Sequence, residues 1–343
     1  MKKKKETIDF SALRPPGSYL EELPSEMNAF FRAINDADRA AKKLLKENRS
    51  LPAEESEGKE EAAPNTAKRP DPDALLAELD DLVGLHKVKE NVRSLINLVK
   101  VRKLREKEGL PTPPLSLHLV FLGNPGTGKT TVARLVAKLY HAIGVLPKDT
   151  LVEVDRSGLV AGFVGQTAQK TAGVIQRAMG GVLFIDEAYA LSPKSENDFG
   201  REAIETLLKA MEDHRENLVV IVAGYKEPME DFLSSNPGLE SRFNRYLLFE
   251  DYTPGELTEI FLGLCKKGGY QLSPQAKEPL SRYIENLYAV RDENFGNGRD
   301  IRNLFENLVI AHSDRVAGLP SPTKEDLMTF HPEDMEKLTQ TCI

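Results

Sequence analysis

The string Gly123-Asn124-Pro125-Gly126-Thr127-Gly128-Lys129-Thr130 limits what this chain can fold into more than any other stretch. It follows an apolar run ending at Leu122 and opens a stretch, Thr131 to Tyr140, that reads as helix. A G-x-x-x-x-G-K-[ST] string between a strand and a helix is the setting of the phosphate-binding P-loop. Glycines at 123, 126 and 128 let backbone N–H groups converge on phosphate oxygens at a helix N-terminus, where the aligned peptide dipoles favour negative charge. Residues 123 to 131, ending with Thr131, are therefore the candidate nucleotide site. Lys129 is expected to reach the β- and γ-phosphates of ATP and the Thr130 hydroxyl to coordinate Mg²⁺. A glycine-rich turn that merely carries Lys-Thr is the competing reading.

The run Val182-Leu-Phe-Ile-Asp186-Glu187 ends a strand on two adjacent acids. Burying unpaired carboxylates is costly, so they need a cation or water to act on. Asp186 is expected to hold Mg²⁺ through its water shell, and Glu187 to polarise the attacking water as general base. A solvated acidic turn is the alternative.

Around these motifs, apolar runs alternate with helical patterns, the signature of a parallel sheet covered by helices. The spacing predicts strands at Leu117 to Leu122, Leu151 to Val154, Val182 to Ile185, Leu218 to Ala223 and Tyr246 to Phe249. Beyond Asp251 the strand-like runs stop. Helix starts follow at Thr253-Pro-Gly-Glu256, Ser273-Pro274 and Thr323-Lys-Glu-Asp326. The fold class is thus α/β, a P-loop sheet sandwiched by helices in residues 76–251, with a small all-helical lid and tail in 252–343. Ahead of it, residues 1–50 carry an amphipathic helix from Ser25 to Glu47. Residues 51–75, rich in Pro, Ala, Glu and Lys with few large apolar side chains, are expected to be a flexible linker, because they cannot offset their ordering entropy.

With 343 residues and 40% hydrophobic content, a substantial core is expected. The net charge of -7 offers no overall basic field for nucleic acid, so a nucleic-acid partner is disfavoured. The longest apolar runs are too short to span a bilayer, and no apolar core follows Met1-Lys-Lys-Lys-Lys-Glu, so a cytoplasmic protein without an export signal is expected. Cys265 and Cys342 form neither a disulfide framework nor a metal-ligand pair. The histidines at 86, 118, 141, 214, 312 and 331 lack ligand spacing and are assigned to surface and packing.

P-loop, Asp-Glu strand end and helical C-terminal part together resemble the AAA+ ATPases over roughly residues 76 to 335. Phe163-Val-Gly165-Gln-Thr, Gly180-Gly-Val-Leu-Phe-Ile-Asp-Glu-Ala-Tyr189, Val222-Ala-Gly-Tyr225-Lys and Asn236-Pro-Gly238 are similar to the subgroup that contains red-type Rubisco activase (CbbX/CfxQ) and stage V sporulation protein K. The resemblance implies that Val83 and Gly84 pack on adenine, rather than forming only a turn before a helix. It implies that Arg242 and Arg245 lie in the arginine-finger region serving the neighbouring subunit, surface ion pairing being the alternative. A trans finger is worth on the order of 10³ to 10⁵ in rate. It further implies that Arg299 contacts phosphate from the lid, against a plain surface arginine. Phe163 and Val164 match a pore loop that grips a client protein; the alternative is a Phe163 packed beneath its own loop. Gly224-Tyr225 stands where related proteins carry Asn, Ser or Thr, which leaves the first-sensor residue open.

The implied activity is ATP hydrolysis in a homo-oligomeric ring, expected to be a hexamer, that remodels a client protein whose identity cannot be read. A nucleic-acid-dependent loader and a nucleotide-switched scaffold are the alternatives.

Overall fold

The computed structural model describes residues 69–341 except 114, 164, 194–197 and 293–294, with side chains described only as far as Glu336. The expected helix at Ser25 to Glu47, and the linker as far as residue 68, lie outside the described residues.

The first described helix, α1, spans Pro72–Asp80, so the last residues of the expected linker are helical. Asp71 caps this helix by accepting from the Asp73 N–H, and Pro72 stands at its first turn, where a missing donor costs nothing. Helix α2 is His86–Lys107, β1 is Leu119–Gly123 and α3 is Lys129–Ala142. Next come β2 (Leu151–Val154), the short α4 (Arg156–Leu159), α5 (Thr167–Ala178), β3 (Val182–Ile185) and α6 (Gly200–Asp213). The sheet is completed by β4 (Val219–Gly224), α7 (Lys226–Ser234), α8 (Pro237–Arg242) and β5 (Tyr246–Phe249). The strand order is β2-β3-β4-β1-β5, all parallel.

Both sheet faces are covered, so the strands read as nearly unbroken apolar runs. Alternate residues still separate. Leu119 and Phe121 of β1 enter one core with Val136 and Tyr140 of α3, while Val120 and Leu122 enter the other with Ile175 of α5 and Phe232 of α7. β1 begins two residues later than expected. At its start the buried His118 accepts the Val220 N–H on Nδ1 (3.0 Å), so a side chain satisfies a donor at the sheet margin.

The lid consists of α9 (Pro254–Gly268), α10 (Lys277–Ala289), α11 (Gly298–Ala317), α12 (Lys324–Met328) and α13 (Pro332–Thr341). Thr253 with Glu256, and Thr323 with Asp326, form the expected capping boxes. Ser273 makes no capping bond, and a 3₁₀ turn at Pro274–Ala276 precedes α10. The lid is helical apart from one short pairing of β6 (Gln271–Leu272) with β7 (Thr329–Phe330), which the sequence reading did not expect. This pair sits on Phe330, fully buried and stacked on Tyr270 at 4.7 Å between ring centroids. Two residues per strand are too few to show any periodicity. No described helix is long and apolar enough to cross a membrane.

Candidate nucleotide site

The P-loop begins where β1 ends. Gly123 has φ 150°, and a Cβ on it would come within 2.9 Å of the Phe249 Cβ on neighbouring β5. Gly126 and Gly128, at φ 69° and 92°, turn the chain into α3. Thr127, fully buried, closes the loop by donating its hydroxyl to the Asn124 carbonyl (2.8 Å). The Val132 N–H donates to the Gly128 carbonyl, which leaves the N–H groups of Lys129, Thr130 and Thr131 as the donors that a helix start cannot satisfy internally. Such a cradle fits an anion.

Lys129 donates from Nζ to the carbonyls of Gly123 and Asn124, both at 2.7 Å. Burial pulls its pKa down to about 8, against the opposing pull of the Asp186 carboxylate. Arg299 lowers it further, while Glu187 and Asp251 raise it, so these charges surround one ammonium.

Asp186 reaches the loop through sheet register. Leu122 pairs with Gly224 and Ile185 with Val222, so the ends of β1 and β3 flank β4 at one edge. The two acids are less buried than the sequence reading supposed: Asp186 is half-buried and Glu187 exposed, because the strand stops at Ile185. Asp186 Oδ1 accepts the Glu187 N–H (3.1 Å), and Glu187 adopts φ 48°, ψ 44°. A left-handed non-glycine residue costs of order 1 to 3 kcal/mol and is characteristic of functional sites. At the end of β4, Tyr225 packs on Tyr189 with ring centroids 6.1 Å apart, and a Cβ at Gly224 would lie 2.7 Å from Tyr189 Cδ1. Burial foremost, then Glu187, pushes the Tyr189 phenol up to about 12. An aromatic pair thus occupies this edge.

The lid closes over the same loop. Arg299 sits in the first turn of α11, and the Gly298 N–H donates to the Gly126 carbonyl (3.2 Å). Three residues not singled out from sequence complete the junction. Asn297 is fully buried at φ 50°, Asp251 follows β5 closely, and the Tyr252 hydroxyl donates to the Thr127 carbonyl (3.1 Å). Nothing in the sequence marks their pairing. Val83 and Gly84 lie beside the junction: a Cβ at Gly84 would meet Glu256 Cδ at 2.8 Å, and one at Gly128 would meet Leu85 Cδ1 at 3.6 Å. That segment is both a turn before α2 and a neighbour of the P-loop.

The remaining candidates lie elsewhere. Arg242 and Arg245 are at the opposite end of β1: Arg245 Nε donates to the Ser116 carbonyl (3.2 Å), and Ser116 Oγ donates to the Arg242 carbonyl (2.8 Å). Four β1 residues, Leu119 to Leu122, separate that end from Gly123 of the P-loop, roughly 13 Å at the usual rise per residue. Arg242 pairs with the exposed Glu212 (2.9 Å) and lines a cavity of about 770 Å³ with His118 and Asn244. Phe163, in the loop before α5, is 72% exposed, which removes the reading in which it packs beneath its own loop. Val164 lies outside the described residues.

A parallel sheet with a P-loop at its edge, an Asp-Glu strand end beside it and a helical lid hydrogen-bonded to the loop defines a P-loop ATPase of the AAA type. The family model "ATPase family associated with various cellular activities (AAA)" matches residues 119–251, and "AAA lid domain" matches 253–342. The chain is 42% identical to stage V sporulation protein K of Bacillus subtilis over 259 residues, 75% of this chain and 80% of that one. It is 46% identical to CbbX of Cereibacter sphaeroides over 244 residues, 71% and 78% of the two chains. Over 267 residues it is 43% identical to the chloroplastic ribulose bisphosphate carboxylase/oxygenase activase of Cyanidioschyzon merolae, 77% and 90% of the two. In fold it is similar to the FIGL-1 AAA domain in complex with ADP, with TM-score 0.55 and 21% identity over 77% of this chain and 83% of that one. This chain belongs to the CbbX/CfxQ family of AAA ATPases. It binds ATP and is an ATPase.

Proposed function

We propose that this ATPase works as a ring of identical subunits, a hexamer, that uses ATP hydrolysis to remodel a client protein drawn against a central loop. One observation carries the ring reading: Arg242 lies at the end of β1 remote from its own P-loop, so its guanidinium can serve a γ-phosphate only on a neighbouring subunit. In doing so it exchanges its ion pair with exposed Glu212, a surface contact worth at most about 1 kcal/mol, for a phosphate. Arg245, half-buried against Ser116, keeps its own chain together instead.

Within one subunit, the N–H groups of residues 126 to 131 and the Lys129 ammonium bind the ATP phosphates, Asn124 and Pro125 shape the loop, and Val83 and Gly84 pack on the base. Glu187, held in a fixed left-handed conformation at the strand end, takes the proton of the attacking water. Arg299 contacts phosphate from the lid. The donor set fits Mg²⁺, which takes few protein ligands and completes its shell with phosphate and water. Thr130 and Asp186 would hold it, and it would supply charge neutralisation at the phosphates. Phe163, exposed between Gly162 and Gly165, with Val164 beside it, is the surface that grips the client.

Mixing two inactive proteins, Arg242→Ala and Lys129→Ala, tests the ring. Some interfaces then combine an intact finger with an intact P-loop, and ATPase activity should reappear. No recovery in rings verified to be mixed would sink the trans assignment.

A further inference from the structure

The junction between the P-loop and the lid contains a hydrogen-bond network whose members come from three separate parts of the chain. Asn124 of the loop donates from Nδ2 to both carboxylate oxygens of Asp251 (3.0 and 3.2 Å). Asn297, just before α11, donates from Nδ2 to Asp251 Oδ1 (2.7 Å) and to the Phe295 carbonyl (3.2 Å). Its Oδ1 accepts the Tyr252 N–H (2.9 Å), so every polar group of this fully buried side chain is engaged. Bonds to a carboxylate are the stronger kind, and a fully satisfied buried network fixes one arrangement.

The placement of these bonds matters as much as their number. The lid and its approach contact the loop through the Asn124 side chain and the carbonyls of Gly126 and Thr127. None of these contacts uses a loop N–H, so the lid can hold one side of the loop while phosphate holds the other. Arg299 lies two residues beyond Asn297, and its own N–H donates to the Gly296 carbonyl (2.8 Å) in the turn that Asn297 anchors. Asn297 also adopts φ 50°, ψ -122°, a conformation that a glycine would take with less strain. A side chain is retained there although the backbone disfavours it.

We infer that Asp251 and Asn297 are positioning residues for ATP hydrolysis: Asp251 ties the P-loop to the lid, and Asn297 sets Arg299 against the bound phosphates. This deepens the assignment of Arg299 to phosphate and rests on it.

The test uses the full chain and Asn297→Gly, which eases the backbone while deleting the side chain, alongside Arg299→Ala and the double variant. Assayed at a temperature where circular dichroism shows each variant folded, turnover by Asn297→Gly should fall at least tenfold, and the double variant should be no slower than Arg299→Ala alone. Unchanged turnover in Asn297→Gly would mean that the residue serves only the turn, and equal fold-losses in both backgrounds would mean that it acts independently of Arg299; either overturns the proposal. A normal rate in Arg299→Ala would instead remove the Arg299 assignment, and this inference with it.

Discussion

Gly298 donates its N–H to the carbonyl of Gly126 at 3.2 Å, and a Cβ added to Gly126 would come within 2.7 Å of the Arg299 backbone nitrogen. The P-loop and the lid are thus packed backbone to backbone. Gly126→Ala should cost about 1 to 2 kcal/mol for its left-handed φ and about 1 to 3 kcal/mol more for overpacking. Gly128→Ala pays the first cost, but its Cβ meets only side-chain atoms, the Tyr252 hydroxyl at 3.2 Å and Leu85 Cδ1 at 3.6 Å. Denaturant melts of both should rank Gly126→Ala as the less stable; the reverse order would refute the close docking of the lid.

Glu187→Gln should bind ATP with near-normal affinity yet turn over at least about 100-fold more slowly, because it removes the proposed base and leaves the phosphate cradle in place. Lys129→Ala should lose affinity instead, since the half-buried ammonium between the Gly123 and Asn124 carbonyls is the charge proposed to meet phosphate. Equilibrium titration with a fluorescent nucleotide separates the two. Lost binding in Glu187→Gln would make that residue structural.

Phe163→Ala should leave ring assembly, nucleotide affinity and basal ATPase intact while abolishing client remodelling. A buried Phe would cost about 3 to 5 kcal/mol on truncation, but this one is 72% exposed and has little packing to lose. Melting temperature, ATPase and remodelling are to be measured on the same preparation. Full remodelling by the variant would exclude Phe163 as the grip.

His118 gives the fold a pH dependence. Burial, with Arg242 adding repulsion, lowers its pKa from 6.5 to about 4, and its Nδ1 must stay unprotonated to accept the Val220 N–H. A group depressed in the folded state contributes stability that is fully present above the unfolded pKa and disappears as pH falls, here from about 6.5 to about 4. The loss is on the order of 3 kcal/mol across that window. Urea melts at pH 7.5, 6 and 5 should show it, and His118→Gln should flatten that part of the profile. An equally steep profile in the variant would place the acid sensitivity elsewhere.

The elements themselves were legible because their signals are local. Three strands, Leu151–Val154, Val182–Ile185 and Tyr246–Phe249, match their expected bounds. Val182–Ile185 is an unbroken apolar run buried throughout, the mark of a central parallel strand. Leu151–Val154 and Tyr246–Phe249 lie at the sheet edges instead, and each carries an exposed position, Glu153 and Leu248, between apolar neighbours. The capping boxes at Thr253 and Thr323 close within three residues, and the P-loop within eight, so the donors and acceptors involved are neighbours in sequence. The acids at 186 and 187 could be placed at a strand end, but their exposure could not, since it depends on what packs above that edge.

Tertiary structure alone decided the rest. The insertion of β1 between β4 and β5 brings His118 to Val220 across 102 residues and Asn124 to Asp251 across 127, and the lid's docking brings Asn297 to the same Asp251 across 46. In the lid, Arg315 meets the fully buried Asp334 at 2.7 Å, although neither lies in a recognisable motif. Sequence periodicity specifies which face of each element must leave water, and therefore that a layered sheet and a helical lid will form. It does not specify which polar side chains then face one another. Those partners are chosen when packing strips water from groups far apart in the chain, and each buried donor or acceptor must find its match in whatever the fold has placed beside it.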